Sequence, residues 1–120
     1  RADVYITNIE KDRPPNNRDP LPEEITLYAP FLDRQIEIIQ PRIIATLGRY
    51  SMQYIFLHFG LASVLKPISI LHGSSFSGKT SYGNVTLIPL YHPAAALYNG
   101  GMRDTLKKDF KVIQKTLSSH

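Results

Sequence analysis

The residues best suited to chemistry stand where an apolar stretch ends, within residues 87–99. The pattern predicts a strand that ends at His92 and Pro93, followed by the small-residue start of a helix. The carboxyl end of a strand facing a helix N-terminus is where open α/β sheets bind ligands. The imidazole of His92 is a titratable group that can donate or accept a hydrogen bond. We therefore place the predicted chemistry at His92, with a purely structural histidine as the alternative.

A second stretch, residues 73–80, matches the phosphate-binding loop pattern G-x-x-x-x-G-K-[ST]. Such a loop needs a helix that starts at its Lys-Thr pair, so that backbone amides surround the phosphates. The residues after Thr80 have a turn-and-strand composition, and no apolar run of the sequence ends in an Asp that could hold magnesium. We predict a hairpin-like loop here, and nucleotide binding through Gly73–Thr80 is kept as a long shot.

The elements that must position these residues follow from hydrophobic periodicity. Apolar, β-branched runs predict strands at 4–9, 42–48, 66–72 and 85–91. Apolar residues at helical spacing predict helices at 22–39, 49–59 and 102–117. Pro30 would kink the first helix or divide it, and Gly60 would cap the second. The strand–helix–strand order implies a right-handed parallel crossover, and hence a three-layer α/β domain with a mainly parallel central sheet and flanking helices.

Composition limits the class of protein. The 120 residues suffice for one domain, and 42% hydrophobic with 20% charged residues argues against extended disorder. A net charge of +4 favours a polyanionic partner without requiring one. The absence of cysteine excludes a disulfide framework and a thiolate metal site. No run approaches the ~18 apolar residues of a membrane span, and no signal peptide is visible, so we expect an intracellular protein of the cytoplasm or nucleoid.

Several blocks of the sequence resemble, in order, the family-four, iron–sulfur uracil-DNA glycosylases. They are Val4–Lys11, Arg13–Pro20, Pro30–Leu32, Pro41–Ile44 with Leu47–Gly48, and Tyr91–Tyr98. The most specific parts are Asn-x-x-Lys-x-Arg-Pro-Pro and His-Pro-Ala. The resemblance implies one uracil-DNA glycosylase-like α/β domain over residues 1–120. It also implies the family's activity in DNA repair, in which uracil is flipped out of DNA and removed by N-glycosidic hydrolysis.

The resemblance also implies roles for individual residues. Asn8 matches the asparagine that reads the uracil edge. His92 matches the histidine that hydrogen-bonds the uracil oxygen and stabilises charge on the leaving base. Leu97 matches the segment wedged into the duplex, although the helix register could make it a core residue instead. The residues expected to contact DNA are Lys11, Arg13, Arg18, Pro93, Ala94, Leu97 and Arg103.

The departures from the family pattern carry expectations of their own. Cluster cysteines would stand at Asp12 and near Tyr28, so we expect no 4Fe–4S cluster and no other metal or cofactor in this chain. The segment with the Gly-Glu-x-Pro-Gly motif, which brings the water-positioning acid, is also missing, as is the aromatic residue that stacks on the base. We expect a C-terminal portion or a shortened relative that lacks full activity alone, with the missing segment supplied elsewhere in the polypeptide or by a second chain.

Two alternatives from other functional classes remain open at this point. A non-catalytic module would bind DNA through Arg13, Arg18, Arg103 and the C-terminal lysines, with salt-dependent affinity and no preference for uracil. A truncated or engineered scaffold would neither bind nor cleave DNA.

Overall fold

The computed structural model of the chain describes residues 4–7, 22–93 and 100–118, and within residues 22–29 it describes the backbone alone. The strands are β1 (Val4–Thr7), β2 (Ile43–Leu47), β3 (Phe76–Thr80) and β4 (Gly83–Leu90). The helices are α1 (Pro22–Ile39), α2 (Gly48–His58), α3 (Ile68–Leu71) and α4 (Gly100–Ser118), with a 3-10 turn at Ala62–Val64. Among the described residues, no helix combines the length and the apolar character that a membrane span requires.

The strands form one mixed sheet in the spatial order β1-β2-β4-β3. β1, β2 and β4 are parallel, whereas β3 pairs antiparallel with β4. The central strand β2 is buried on both faces, which explains its continuous apolar run. Because side chains alternate along a strand, Ile44 points to one face and Ile43 to the other.

Each face of the sheet carries its own core. On the face of α1, α2 and α3, the buried cluster comprises Leu32, Ile36, Ile44, Met52, Ile55, Phe56, Leu71, Val85 and Leu87. On the face of α4, it comprises Ile43, Ala45, Ile88, Leu90 and Ile113. The predicted three-layer α/β architecture with a mainly parallel central sheet is therefore confirmed.

Two predictions about local structure are wrong. The segment predicted as a strand at 66–72 contains the short helix α3. Ile68 and Leu71, three residues apart, both pack on the core while Ile70 is exposed, and this spacing suits one helical turn. The Gly/Ser-rich stretch predicted as a loop contains strand β3, because it pairs along the edge of β4.

The predicted break at Pro30 does not divide the first helix, and α1 runs through this exposed proline. The predicted glycine cap of α2 is confirmed. Gly60 has φ +71°, and its N–H donates to the carbonyl of Leu57 at 3.1 Å. The N–H of Leu61 donates to the carbonyl of Phe56 at 2.8 Å, which completes a Schellman motif.

Candidate functional site

Three parallel strands end at one edge of the sheet, which we call the carboxyl edge. The register that pairs Thr7 with Thr46, and Leu47 with Leu90, brings the ends of β1, β2 and β4 level with one another. Helix α2 begins there directly after β2, and His92 lies two residues beyond β4. In open α/β sheets this edge is where ligands bind.

His92 occupies a closely packed position at the carboxyl edge. Gly48 has φ +84°, a conformation that favours glycine. A Cβ on Gly48 would lie 3.4 Å from the Cβ of His92, so the backbone of α2 and the histidine approach each other closely. The His92 side chain is half-buried. The start of α2 and His92 are therefore neighbours at the carboxyl edge.

The structure places some of the predicted site residues and leaves others undescribed. His92 and the exposed Pro93 lie together at the carboxyl edge, and Arg103 is exposed in the first turn of α4. The predicted residues outside the described ranges are Asn8, Lys11, Asp12, Arg13, Arg18, Ala94 and Leu97. Of Tyr28 only the backbone is described.

A buried hydroxyl lies near the end of β2. Thr46 is fully buried, and its Oγ1 has no hydrogen-bond partner among the described residues. Thr7, its partner in the register, is also buried and projects to the same face. A buried hydroxyl without a hydrogen-bond partner lowers stability by about 1–3 kcal/mol. Within the described part of the chain, the Thr46 hydroxyl is such a group.

A histidine–aspartate pair that was not predicted from the sequence lies at the same edge. The Nδ1 of His72 is 2.8 Å from Oδ2 of Asp109, and the Asp109 side chain is 8% exposed. The ring centroids of His72 and Tyr91 are 4.6 Å apart. One sequence signal existed: Asp109 stands on the apolar stripe of the C-terminal helix, between Leu106 and Ile113.

Two further cations near this edge were not predicted either. Arg49 and Lys66 line a cleft of about 380 Å³ together with Gln53. Arg49 lies in the first turn of α2, where its guanidinium is 5.0 Å from the centroid of the Tyr50 ring and donates to the Tyr50 hydroxyl at 3.1 Å. Since α2 starts at the carboxyl edge, the cleft places positive charge on this side of the sheet.

The phosphate-loop interpretation of Gly73–Thr80 is wrong. Lys79 and Thr80 are the last residues of β3, and the chain turns back directly into β4. The Thr80 hydroxyl donates to the carbonyl of Gly83 at 2.6 Å, which closes this hairpin. No helix starts at Lys79 and Thr80, so this segment cannot aim the backbone amides of a helix N-terminus at a phosphate.

A second histidine–aspartate pair lies at the opposite, amino edge of the sheet. Helix α2 leads away from the carboxyl edge and ends at His58, whose Nε2 is 3.0 Å from Oδ1 of Asp33. A cleft of about 530 Å³ beside them is also lined by Lys79 and Ser81 of the hairpin region. The pair connects the end of α2 to α1.

The fold and the edge geometry define a class: a three-layer α/β domain with a half-buried histidine beyond the carboxyl ends of parallel strands. The chain belongs to the uracil DNA glycosylase superfamily, whose family model matches residues 1–117. The family resemblance of the sequence is thereby confirmed.

Individual relatives agree with this membership. The type-4 uracil-DNA glycosylase of Sulfurisphaera tokodaii is 50% identical over 115 residues, which cover 96% of this chain and 51% of that protein. That of Saccharolobus solfataricus is 44% identical over 119 residues, covering 99% and 54%. That of Archaeoglobus fulgidus is 45% identical over 113 residues, covering 94% and 56%. The chain thus spans about half the length of the curated relatives it matches.

The residues present do not fit an iron–sulfur cluster. The 120 residues contain no cysteine, and the positions where the family pattern places cysteines hold the carboxylate of Asp12 and, approximately, the phenol of Tyr28. Four thiolates hold a typical 4Fe–4S cluster. In the described part of the chain, no group of three or more His, Cys, Asp or Glu side chains is arranged to hold a metal ion.

Proposed function

We propose that this chain forms the leaving-group half of a uracil-DNA glycosylase site, in which His92 hydrogen-bonds the departing uracil. The observation that supports this most directly is the position of His92, half-buried beyond β4 at the carboxyl edge and in contact with Gly48. Membership of the superfamily supplies the reaction class, hydrolysis of the N-glycosidic bond.

The proposed role follows from where charge develops. As the glycosidic bond breaks, negative charge accumulates on the oxygens of the leaving base. A hydrogen-bond donor fixed at that position stabilises the transition state more than the ground state. An imidazole N–H can donate in either protonation state of His92. Its partial burial reduces screening by water and strengthens the interaction.

Asn8 is the proposed recognition residue. A side-chain amide offers both a donor and an acceptor, which suits the alternating groups along the uracil edge. Asn8 follows Thr7 in the sequence, and the register of Thr7 with Thr46 brings the end of β1 level with the end of β2. The proposal therefore assigns recognition to the end of β1 and leaving-group stabilisation to the end of β4, two strands that flank β2 at one edge of the sheet.

Uracil-containing DNA is the proposed partner. Arg103 is exposed in the first turn of the helix that follows His92, and Arg49 and Lys66 lie near the same edge. Such cations would bind phosphates and orient the duplex. We assign further phosphate contacts to Lys11, Arg13 and Arg18. The residues Pro93, Ala94 and Leu97 are proposed to contact the duplex when the target nucleotide is flipped out.

We further infer that the group which positions water comes from outside these 120 residues, because they contain no Gly-Glu-x-Pro-Gly motif. A further segment of the same polypeptide or a second chain would supply it. The chain itself would contribute no iron–sulfur cluster, since it has no thiolate ligand to offer.

The test is single-turnover cleavage of an oligonucleotide with one central uracil. We expect slow cleavage by the chain, because the water-positioning group is missing, and a further loss of about 100-fold in His92→Ala, the size typical of removing one transition-state donor. His58→Ala, at the amino edge, is the matched control and should cleave at the parent rate. Equal rates for the parent and His92→Ala would remove His92 from the mechanism.

Binding to the same oligonucleotide with thymine in place of uracil separates the second candidate function. The proposed function predicts tighter binding of the uracil duplex. Salt-dependent binding of both duplexes with equal affinity and without cleavage would instead identify a non-catalytic DNA-binding module. The exposed cation Arg103 is the observation that favours a non-catalytic DNA-binding module.

A further inference from the structure

The pair formed by His72 and Asp109 lies at the carboxyl edge but has no role in the proposed uracil site. Asp109 belongs to α4 and is almost fully buried, with a side-chain exposure of 8% against 26% for His72. The Nδ1 of His72 is 2.8 Å from its carboxylate. A hydrogen bond at this distance restricts the orientation of the His72 ring.

The backbone around the pair is built to admit the carboxylate. Gly73 has φ +77°, and a Cβ at this position would lie 2.5 Å from Oδ1 of Asp109. This distance is too short for any side chain at position 73 unless Asp109 shifts. The N–H of Gly73 donates to the carbonyl of Pro89 at 2.8 Å. The carboxylate, the turn at 72–73 and the end of β4 are therefore connected directly.

The connection continues to the residue that precedes His92. The rings of His72 and Tyr91 lie with centroids 4.6 Å apart and an interplanar angle of 35°. Tyr91 is the first residue beyond β4, so its placement sets the direction in which the chain leaves the sheet. On another side, Gly48 lies against His92. His92 is thus held between the start of α2 and a chain of contacts that begins at a buried acid.

We propose that Asp109 and His72 are positioning residues for His92. The buried carboxylate fixes the His72 ring, the ring holds Tyr91, and Tyr91 determines where the imidazole of His92 lies. The catalytic consequence of this arrangement rests on the proposed function of His92. The structural consequence does not, and the two can be measured separately.

The structural consequence is tested by NMR of the whole chain with ¹³C-labelled histidine rings. His72→Phe keeps a ring against Tyr91 but cannot donate to Asp109, and Asp109→Ala removes the acceptor. We expect the His92 ring signals to move in both variants and to stay in place in His58→Phe, which breaks the other histidine–aspartate pair. Unchanged His92 signals in the two carboxyl-edge variants would overturn the proposal.

Conservative variants separate positioning from general damage to the fold. Asp109→Asn retains a carbonyl oxygen that can accept from Nδ1, and Tyr91→Phe retains the ring that His72 contacts. Both should leave the His92 signals close to those of the parent, whereas Tyr91→Ala should displace them. If the conservative variants displace the signals as far as Asp109→Ala and Tyr91→Ala do, the contacts named here do not position His92.

The catalytic consequence is tested by single-turnover cleavage with saturating uracil-containing duplex. Asp109→Ala should lower the rate between about tenfold and about 100-fold, the range expected for a reacting group misplaced by up to ~1 Å, with duplex affinity unchanged. Asp109→Asn should restore most of the rate. Displaced His92 signals with an unchanged rate would overturn the catalytic part of the proposal. Absence of cleavage by the parent would count against the proposed function alone, since the NMR result stands independently.

Discussion

Two histidine–aspartate pairs within the described ranges have nearly the same distance and opposite surroundings. His72 and Asp109 approach to 2.8 Å at the carboxyl edge, and His58 and Asp33 to 3.0 Å at the amino edge. In the first pair the acid is the buried member, at 8% exposure. In the second the histidine is buried, at 9%, and the acid is 70% exposed.

The difference shows that distance alone does not describe such a pair. Water can hydrate the carboxylate of Asp33 when its partner is removed, so an exposed pair contributes little to stability. Asp109 has almost no access to water, so a carboxylate that loses its hydrogen bond to His72 cannot be hydrated instead. A substitution of His72 should therefore lower the free energy of unfolding more than a substitution of His58.

The largest expected effect on stability comes from replacing a histidine with phenylalanine, which keeps an aromatic ring but cannot form the hydrogen bond to the aspartate. His72→Phe should lower the free energy of unfolding by about 3 kcal/mol, because it leaves a buried carboxylate without a partner. His58→Phe should lower it by less than about 1 kcal/mol. Urea denaturation of both variants measures the difference, and equal losses would contradict the contrast drawn between the pairs.

Two glycines with similar backbone conformations test the space around Asp109. Gly73 and Gly60 have φ +77° and +71°, so alanine at either position meets the left-handed penalty of about 1–2 kcal/mol. At Gly60 a Cβ meets nothing within 4 Å, whereas at Gly73 it meets the Asp109 carboxylate. Gly73→Ala should therefore cost about 2 kcal/mol more than Gly60→Ala in urea denaturation.

The extra cost at Gly73 has a direct check of its origin. In an Asp109→Ala background, Gly73→Ala should cost no more than Gly60→Ala does, because the obstructing oxygen is gone. A penalty that persists in that background would place the conflict elsewhere.

A substitution of Thr46 tests whether its buried hydroxyl, at the carboxyl edge, lacks a hydrogen-bond partner. Thr46→Val removes the buried hydroxyl with little change of shape, and should raise the free energy of unfolding by about 1 kcal/mol. Thr116→Val is the control, because the Thr116 hydroxyl donates to the carbonyl of Val112 at 2.8 Å and its loss should not stabilise. Thermal denaturation compares the two. A destabilised Thr46→Val variant would show that the hydroxyl has a partner.

The smallest expected effect is the response of each pair to salt. At 1 M salt the Debye length falls to about 3 Å, so interactions between exposed charges are screened strongly and those between buried charges much less. With the histidine protonated, the coupling energy of His58 with Asp33, from a double-mutant cycle, should fall by a few tenths of a kcal/mol between 0.1 and 1 M NaCl. The coupling of His72 with Asp109 should change less, and an equal response would remove the contrast in burial as its explanation.

The sequence alone determined most of the layers, and it carries the prediction that the site lies at His92. The runs that became β1, β2 and β4 are apolar enough to be read locally, and the apolar stripe of α4 repeats at the helical period. The blocks around Asn8 and His92 identified the family. His92 could be placed because a strand end followed by His-Pro is a local signal.

Only the tertiary structure decided what depends on contacts between distant segments. Strand β3 has a Gly/Ser-rich sequence and exists because it pairs with β4, while α3 replaces a predicted strand because its apolar residues face one core. His72 and Asp109 are 37 residues apart, and no local pattern says which acid a histidine will meet. That meeting is fixed by the packing of α4 across the sheet, so the role of this pair could be read only from the folded chain.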